Sequence, residues 1–437
     1  MRASGRRSGA AITVAVVMSI GASGCLPAPG TIERASVSSA GQQAARGVGP
    51  LNTAYPKVSG NGRFVAFSSR SNDLVVGDGP RGRYEFLDAD VFVRDLWTRK
   101  TELISVTPTG APADWPSAVS DMSADGRYVL FNSAASNLTG TVDRDGEDDA
   151  FIRDRTTGRT TFVSPSQEWA EGTGKTQAWA MSDDARFVLL STNDPAVADG
   201  RPATLVLDRS TGAWSQLPEA DWDGLTLSDD GSTVAYRALL TDPASGKQYH
   251  RQQVWDRATG SVQSLGPIEL ATPFPDAGLN QSMPAISDDG DTVLWTRTRA
   301  DAVPGDGSVD DDVLQWRRST GEVTVVTPQL DTGGAVDWMC ACHVDISGDG
   351  RWAIARASYA PKVPGDRPIP YAVVVWKLDG TEVHHVGRTA EHVGDVAPYR
   401  PALSDDGRIA AFTATTATLV ADDTNGMPDV FAWARPG

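Results

Sequence analysis

Three acidic segments carry the most distinctive donor pattern in this sequence. DRDGEDD (Asp143 to Asp149), DGSVDDD (Asp306 to Asp312) and DDTNGMPD (Asp422 to Asp429) share an Asp, a polar residue two later and an Asp six later. The positions are Asp143, Asp145 and Asp149; Asp306, Ser308 and Asp312; and Asp423, Asn425 and Asp429. Alternating oxygen donors around a Gly-containing turn are what a hard cation such as Ca²⁺ takes. The same residue types also close side-chain-to-backbone turns with no metal. The twelve-residue EF-hand spacing is absent, so calcium and simple turn structure both stay open.

A second cluster, Trp338-Met339-Cys340-Ala341-Cys342-His343, places two thiols beside an imidazole. Zinc or copper would need a further ligand, such as His392 or a carboxylate, so a short-loop disulfide or an inert pair is the better reading. Only five His are present, and no Gly-x-Ser-x-Gly elbow, zinc-protease helix or phosphate loop occurs. A nucleophile-and-base enzyme is therefore disfavoured. Abundant carboxylates keep a hydrolase or lyase acting on carbohydrate or peptide as the alternative to a non-catalytic binding protein.

The elements that must position these groups are repeated. An apolar residue, Ser, two small or acidic residues, usually Gly, then an apolar run recurs as VSGNGRFVAF, MSADGRYVLF, MSDDARFVLL, LSDDGSTVAY, ISDDGDTVLW, ISGDGRWAIA and LSDDGRIAAF. The serines fall at 59, 123, 182, 228, 287, 347 and 404, spaced 46 to 64 residues apart. Asp-Gly between apolar runs signals a hairpin. A loop and a third run follow, such as DVFVRD (Asp90 to Asp95) or DAFIRD (Asp149 to Asp154). A second turn such as RTTG at Arg155 leads to a fourth run such as TTFVS (Thr160 to Ser164). Four antiparallel strands per repeat make one blade, and seven repeats predict an all-β, seven-bladed propeller over residues 31–437.

The two ends complement each other. The last repeat stops after its third strand at Ala434, while Thr31 to Ser38 (TIERASVS) matches the fourth-strand phrases TELISV and TTFVS. The N-terminal strand is expected to complete the last blade and remove its open edge. These units resemble the TolB-type, WD-type propeller repeats of bacterial envelope proteins, through the Ser-x-Asp-Gly turn and the Asp-Val-Phe-Val-Arg-Asp strand. Seven copies depart from the six blades of TolB itself, and no N-terminal α/β domain is evident, so TolB's partners do not transfer.

Before the repeats stands a basic start (Arg2, Arg6, Arg7) and an apolar run from Ala10 to Ile20. That run is too short to span a bilayer and reads as an export signal over residues 1–24. Ala22-Ser23-Gly24-Cys25 resembles a bacterial lipobox, which implies a diacylated Cys25, a short tether over 25–30 reaching about 20 Å, and an extracytoplasmic protein anchored to the cell membrane. An ordinary cleaved signal is the other reading. The chain carries 39 Lys and Arg against 56 Asp and Glu, a net charge of −17. Removing the three signal arginines makes it about −20, a surface that repels nucleic acid and anionic headgroups.

Strand direction assigns the long loops to one face, where function is expected. The segments approaching each inner strand carry Tyr55, Trp115, Trp179, Trp222, Trp338 and Tyr399, candidate ligand contacts at the channel mouth. Aromatic faces suit sugars, peptides and cationic groups, although any one ring can instead wedge between blades. The expected protein is a monomeric envelope scaffold that recognises a protein, peptide or cell-wall glycan.

Overall fold

A computed structural model describes residues 26–48, 55–77, 89–140, 146–165, 174–194, 197, 202–218, 224–241, 243–244, 246, 248–270, 283–297, 312–328, 336–361, 369–386, 401–415 and 419–437. Each Ser-x-Asp-Gly phrase folds into the same turn. The seven serines are fully buried. In the second copy Ser123 Oγ donates to Asp125 Oδ1 at 2.8 Å and accepts from the Tyr128 amide at 2.9 Å. All the other copies, from Ser59 to Ser404, make the same two bonds. Gly126 completes the turn at φ 70°, and a Cβ there would lie 2.2 Å from the Phe64 ring of the preceding blade. Glycine thus serves both the left-handed backbone and the approach of neighbouring blades.

Around these turns stand seven four-stranded antiparallel sheets, the seven blades of a propeller. Blade 2 is typical, with Ser117–Met122, Tyr128–Ser133, Asp149–Asp154 and Arg159–Phe162 in that order from the channel outward. The middle strands are apolar on both faces because each blade is packed on both sides. Blade 1 presents Phe64 and Ala66 to Val129 and Phe131 of blade 2. There is one such core between each adjacent pair of blades, seven around the ring.

Blade 7 is closed by the N-terminal strand, as the sequence predicts. Ile32–Arg34 pairs antiparallel with Asp429–Ala434, Ile32 opposite Trp433 and Arg34 opposite Phe431. The junction copies a device used inside the other blades. In blade 1 the Asp90 carboxylate accepts from Ser105 Oγ at 2.7 Å, and Ser105 Oγ accepts from the Val91 amide at 3.1 Å. At the seam Ser36 Oγ donates to Asp429 Oδ1 at 2.6 Å and accepts from the Val430 amide at 3.0 Å, across a sequence gap of 393 residues.

Charge reinforces this junction. Arg34, its side chain 3 % exposed, has Nε 3.2 Å from Asp429 Oδ2 and Nη2 3.6 Å and 3.7 Å from Asp422 and Asp423. Gln43 Nε2 donates to Asp423 and Asp429 at 2.9 Å and 2.8 Å. Removing one partner of a buried ion pair costs about 3–5 kcal/mol. Arg34→Met is therefore expected to destabilise the ring by about that amount, and deleting residues 31–38 to prevent soluble folding or lower the melting temperature sharply. Unchanged melting of both variants would show that the seam does not close the ring.

Candidate functional site

The inner strands enclose a central channel of about 570 Å³. Its chemistry is layered by position relative to the phrase serine. Two residues before the serines stand Lys57, Asp121, Ala180, Thr226, Ala285, Asp345 and Ala402, all lining the channel. Lys57 Nζ lies 3.7 Å from Asp121 Oδ1. Asp121 Oδ2 accepts from the Met181 amide at 2.9 Å and Asp345 Oδ2 from the Leu403 amide at 3.0 Å, so each carboxylate bridges to the adjacent blade. Burial pushes the Asp345 carboxyl up, against the pull of Lys57.

One residue after the serines, at the turn end, stand Gly60, Ala124, Asp183, Asp229, Asp288, Gly348 and Asp405. A closed circuit of hydrogen bonds links each turn to the next. Asn61 N donates to Ala124 O, Ala124 N to Asp183 O, Asp229 N to Asp288 O, Asp288 N to Gly348 O, Asp349 N to Asp405 O and Asp405 N to Gly60 O, at 2.9–3.2 Å. The remaining link runs from Asp183 N to the Asp229 carboxylate. With the backbone so fixed, the side chains at these positions are held at the channel. The two glycines leave room for their neighbours: a Cβ on Gly60 or Gly348 would fall about 2 Å from a carboxylate oxygen of Asp405 or Asp288.

Asp183, Asp288 and Asp405 converge from blades 3, 5 and 7, with one oxygen of each within 4.8 Å of the others. Burial, then repulsion from Asp405 and Asp229, pushes the Asp183 carboxyl up to about 8. The same two causes raise Asp288 to about 7, and burial followed by Asp229 raises Asp405 to about 6. Burial also raises Asp229. Three carboxylates this close could hold a hard divalent cation. Oxygens this close can equally share a proton.

Within three inner strands the pairing departs from regularity. Registers shift between Val119 and Asp121 in blade 2, Ala178 and Ala180 in blade 3, and Cys342 and Asp345 in blade 6. Bulges re-aim side chains, and Ser120, Trp179 and His343 stand at these breaks along the channel wall. Trp179 Nε1 donates to Ser191 Oγ at 3.0 Å, while its ring packs on the core between blades 3 and 4. His343 is buried and holds φ 55°, a left-handed conformation costly for a residue with Cβ.

The sequence candidates separate on this framework. Tyr55 and Trp179 line the channel, and Trp115 is 46 % exposed on the connector into blade 2. The Trp338 backbone belongs to the inner strand Val336–Ile346 of blade 6, whereas Trp222 and Tyr399 lie outside the described residues. Of the acidic-loop positions, Asp143, Asp145, Asp306 and Ser308 also lie outside them. Asp149, Asp312 and Asp429 begin third strands and are buried, and Asp423 meets Arg34 and Gln43. Asn425 Nδ2 donates to Ala44 O and its Oδ1 accepts from the Met427 amide. Cys25 precedes the described residues. The acid ring at the turn end was the missed feature. Its signal was the residue after each phrase serine, reading Gly, Ala, Asp, Asp, Asp, Gly, Asp around the ring.

The raised carboxyls set a pH dependence. Their protonated forms are favoured in the folded state, so their stabilising contribution is full at low pH, below the unfolded carboxylate range, and is lost as pH rises through about 6 to 8. The melting temperature is expected to fall between about pH 5.5 and 8.5, and Asp183→Asn with Asp288→Asn to flatten that fall. A profile identical to wild type in the double variant would show that the ring is not the source.

No family model matches the chain, and no curated protein matches it. Solved structures do. The β-propeller domain of the trilobed protease from Pyrococcus furiosus, described as having an open velcro topology, is 11 % identical over 87 % of this chain and 93 % of its own, with a TM-score of 0.51. TolB from Acinetobacter baumannii is 14 % identical over 80 % and 77 %, TM-score 0.39. Oligogalacturonate lyase from Vibrio parahaemolyticus is 12 % identical over 72 % and 88 %, TM-score 0.36. What this chain shares with them is the propeller fold, here as seven blades with the seam closed.

Proposed function

We propose that the chain is an extracytoplasmic, lipid-anchored binding protein, which engages cationic groups of a protein, peptide or cell-wall glycan through the long-loop mouth of its channel. The observation that carries this reading is the charge of the channel wall. Asp121 and Asp345 line it, and Asp183, Asp229, Asp288 and Asp405 stand deeper, at its turn end, against the single ammonium of Lys57 among the described residues. Low-dielectric walls focus such a field and concentrate cations. Tyr55, on the segment entering blade 1, adds an aromatic group that favours cations.

The anchor in this reading comes from the lipobox-like Ala22-Ser23-Gly24-Cys25. Calcium at the acidic loops is not part of it: the two carboxylates of the third loop, Asp423 and Asp429, already face the Arg34 guanidinium.

Isothermal titration with tri-lysine and with a neutral chitin-type oligosaccharide tests the cation preference. Tri-lysine is expected to bind, to weaken as added salt shortens the screening length below about 8 Å, and to lose at least about tenfold in affinity, roughly 1.4 kcal/mol, in the Asp121→Asn, Asp345→Asn double variant. Failure of tri-lysine to bind, whatever the oligosaccharide does, would overturn the reading.

A further inference from the structure

Strand direction places the N-terminus on a particular face. In blade 7 the strand Asp429–Ala434 runs from the long-loop end to the turn end, and Ile32–Arg34 runs back against it. The chain ahead of Ile32 therefore emerges at the turn end, beside the C-terminal residues. It does not leave the body there. Gly30 N donates to Ala434 O at 2.7 Å, and Ala434 N to Thr31 O at 3.1 Å. Thr31 donates to Ala28 O from its amide at 3.0 Å and from Oγ1 at 2.6 Å. Pro27 is buried. The segment expected to be a free tether of about 20 Å is docked from Pro27 onward, and Cys25 Cα follows within about 3.8 Å of Leu26 Cα.

From this placement we infer that the turn face of the propeller sits against the membrane surface, with the long-loop mouth of the channel directed away from it. The inference rests on the lipid anchor proposed above. A diacylated residue one position from a docked segment leaves the ring little freedom to swivel, and two acyl chains hold it durably in the bilayer.

A second observation, independent of the anchor, favours the same face. Trp97 lies on the turn between Asp90–Asp95 and Lys100–Leu103 of blade 1 and is 43 % exposed. Its turn adjoins the seam, since Arg99 pairs with Glu33 of the closing strand. The Arg63 guanidinium stands 5.0 Å over the Trp97 ring. Leu26, beside the anchor, is 38 % exposed. Tryptophan is a favoured residue at the headgroup level.

Energy transfer from the lipidated full chain in vesicles of phosphatidylcholine with a minor share of phosphatidylglycerol tests the orientation. An azide-bearing residue at Thr157, on the turn face of blade 2, or at Glu147, on its long-loop face, takes a donor dye, and the acceptor sits on the lipid headgroups. Six-residue strands separate the two sites by about 20 Å. Transfer is expected to be markedly stronger from position 157. Equal transfer, or stronger transfer from 147, overturns the orientation while leaving the anchor intact. Flotation reads the anchor separately: Cys25→Ser is expected to release the protein from vesicles. Flotation equal to wild type would refute the anchor, and with it this inference, without touching the binding reading of the channel.

Discussion

A propeller blade buries both faces of its sheet, so no blade is complete without two neighbours. Seven wedge-shaped cores satisfy that requirement only if the seventh meets the first. The bond that makes them meet is the pairing of Ile32–Arg34 with Asp429–Ala434. Its hydrophobic share is ordinary, with Ala35, Ala44 and Val48 joining Val430 and Ala432. Its polar share is what distinguishes it. Ser36 and Arg34 satisfy a carboxylate at Asp429 that would otherwise be buried with no compensating charge. Completing the last blade also covers the edge of its third strand, which would otherwise stand open to pairing with another chain.

Closure has an electrostatic consequence at the axis. The turn circuit that ties each blade to the next leaves the residue after every phrase serine at the channel. Four of those seven residues are aspartates. Repulsion among them opposes the packing that brings them together. Their raised proton affinity is the expected response, because a shared proton costs less than several bare charges in a desolvated space.

The sequence made the blades legible because the Ser-x-Asp-Gly turn is local: its bonds span two to five residues, and each copy reports its own hairpin. The seam was legible for the same reason, since TIERASVS carries a fourth-strand pattern that lacked a blade. The acid ring was not, because Asp183 and Asp405 meet only once ring order and strand direction are fixed. Arg34 was recognised as part of a strand, yet its carboxylate partners lie nearly 400 residues on. The docking of Pro27 to Gly30 depends on Ala434 in the same way. Legibility here follows sequence separation: local hydrogen bonds leave a repeated signature, and long-range charge pairs leave none.

The departures from the repeat locate what the ring was adapted to do. Seven identical blades would build a symmetric channel, chemically uniform around its axis. This channel is uneven: its inner strands bulge in blades 2, 3 and 6, and Lys57 in blade 1 stands 3.7 Å from Asp121 and also acts on Asp345. His343 keeps a backbone conformation that costs on the order of 1–3 kcal/mol. Regular pairing on both sides of the break, Cys342 with Arg356 and Asp345 with Ile354, is what sustains it. A strained residue held within a repetitive scaffold is retained at the expense of the scaffold. His343 stands on the channel wall two residues before Asp345, so this break in the repeat faces the channel.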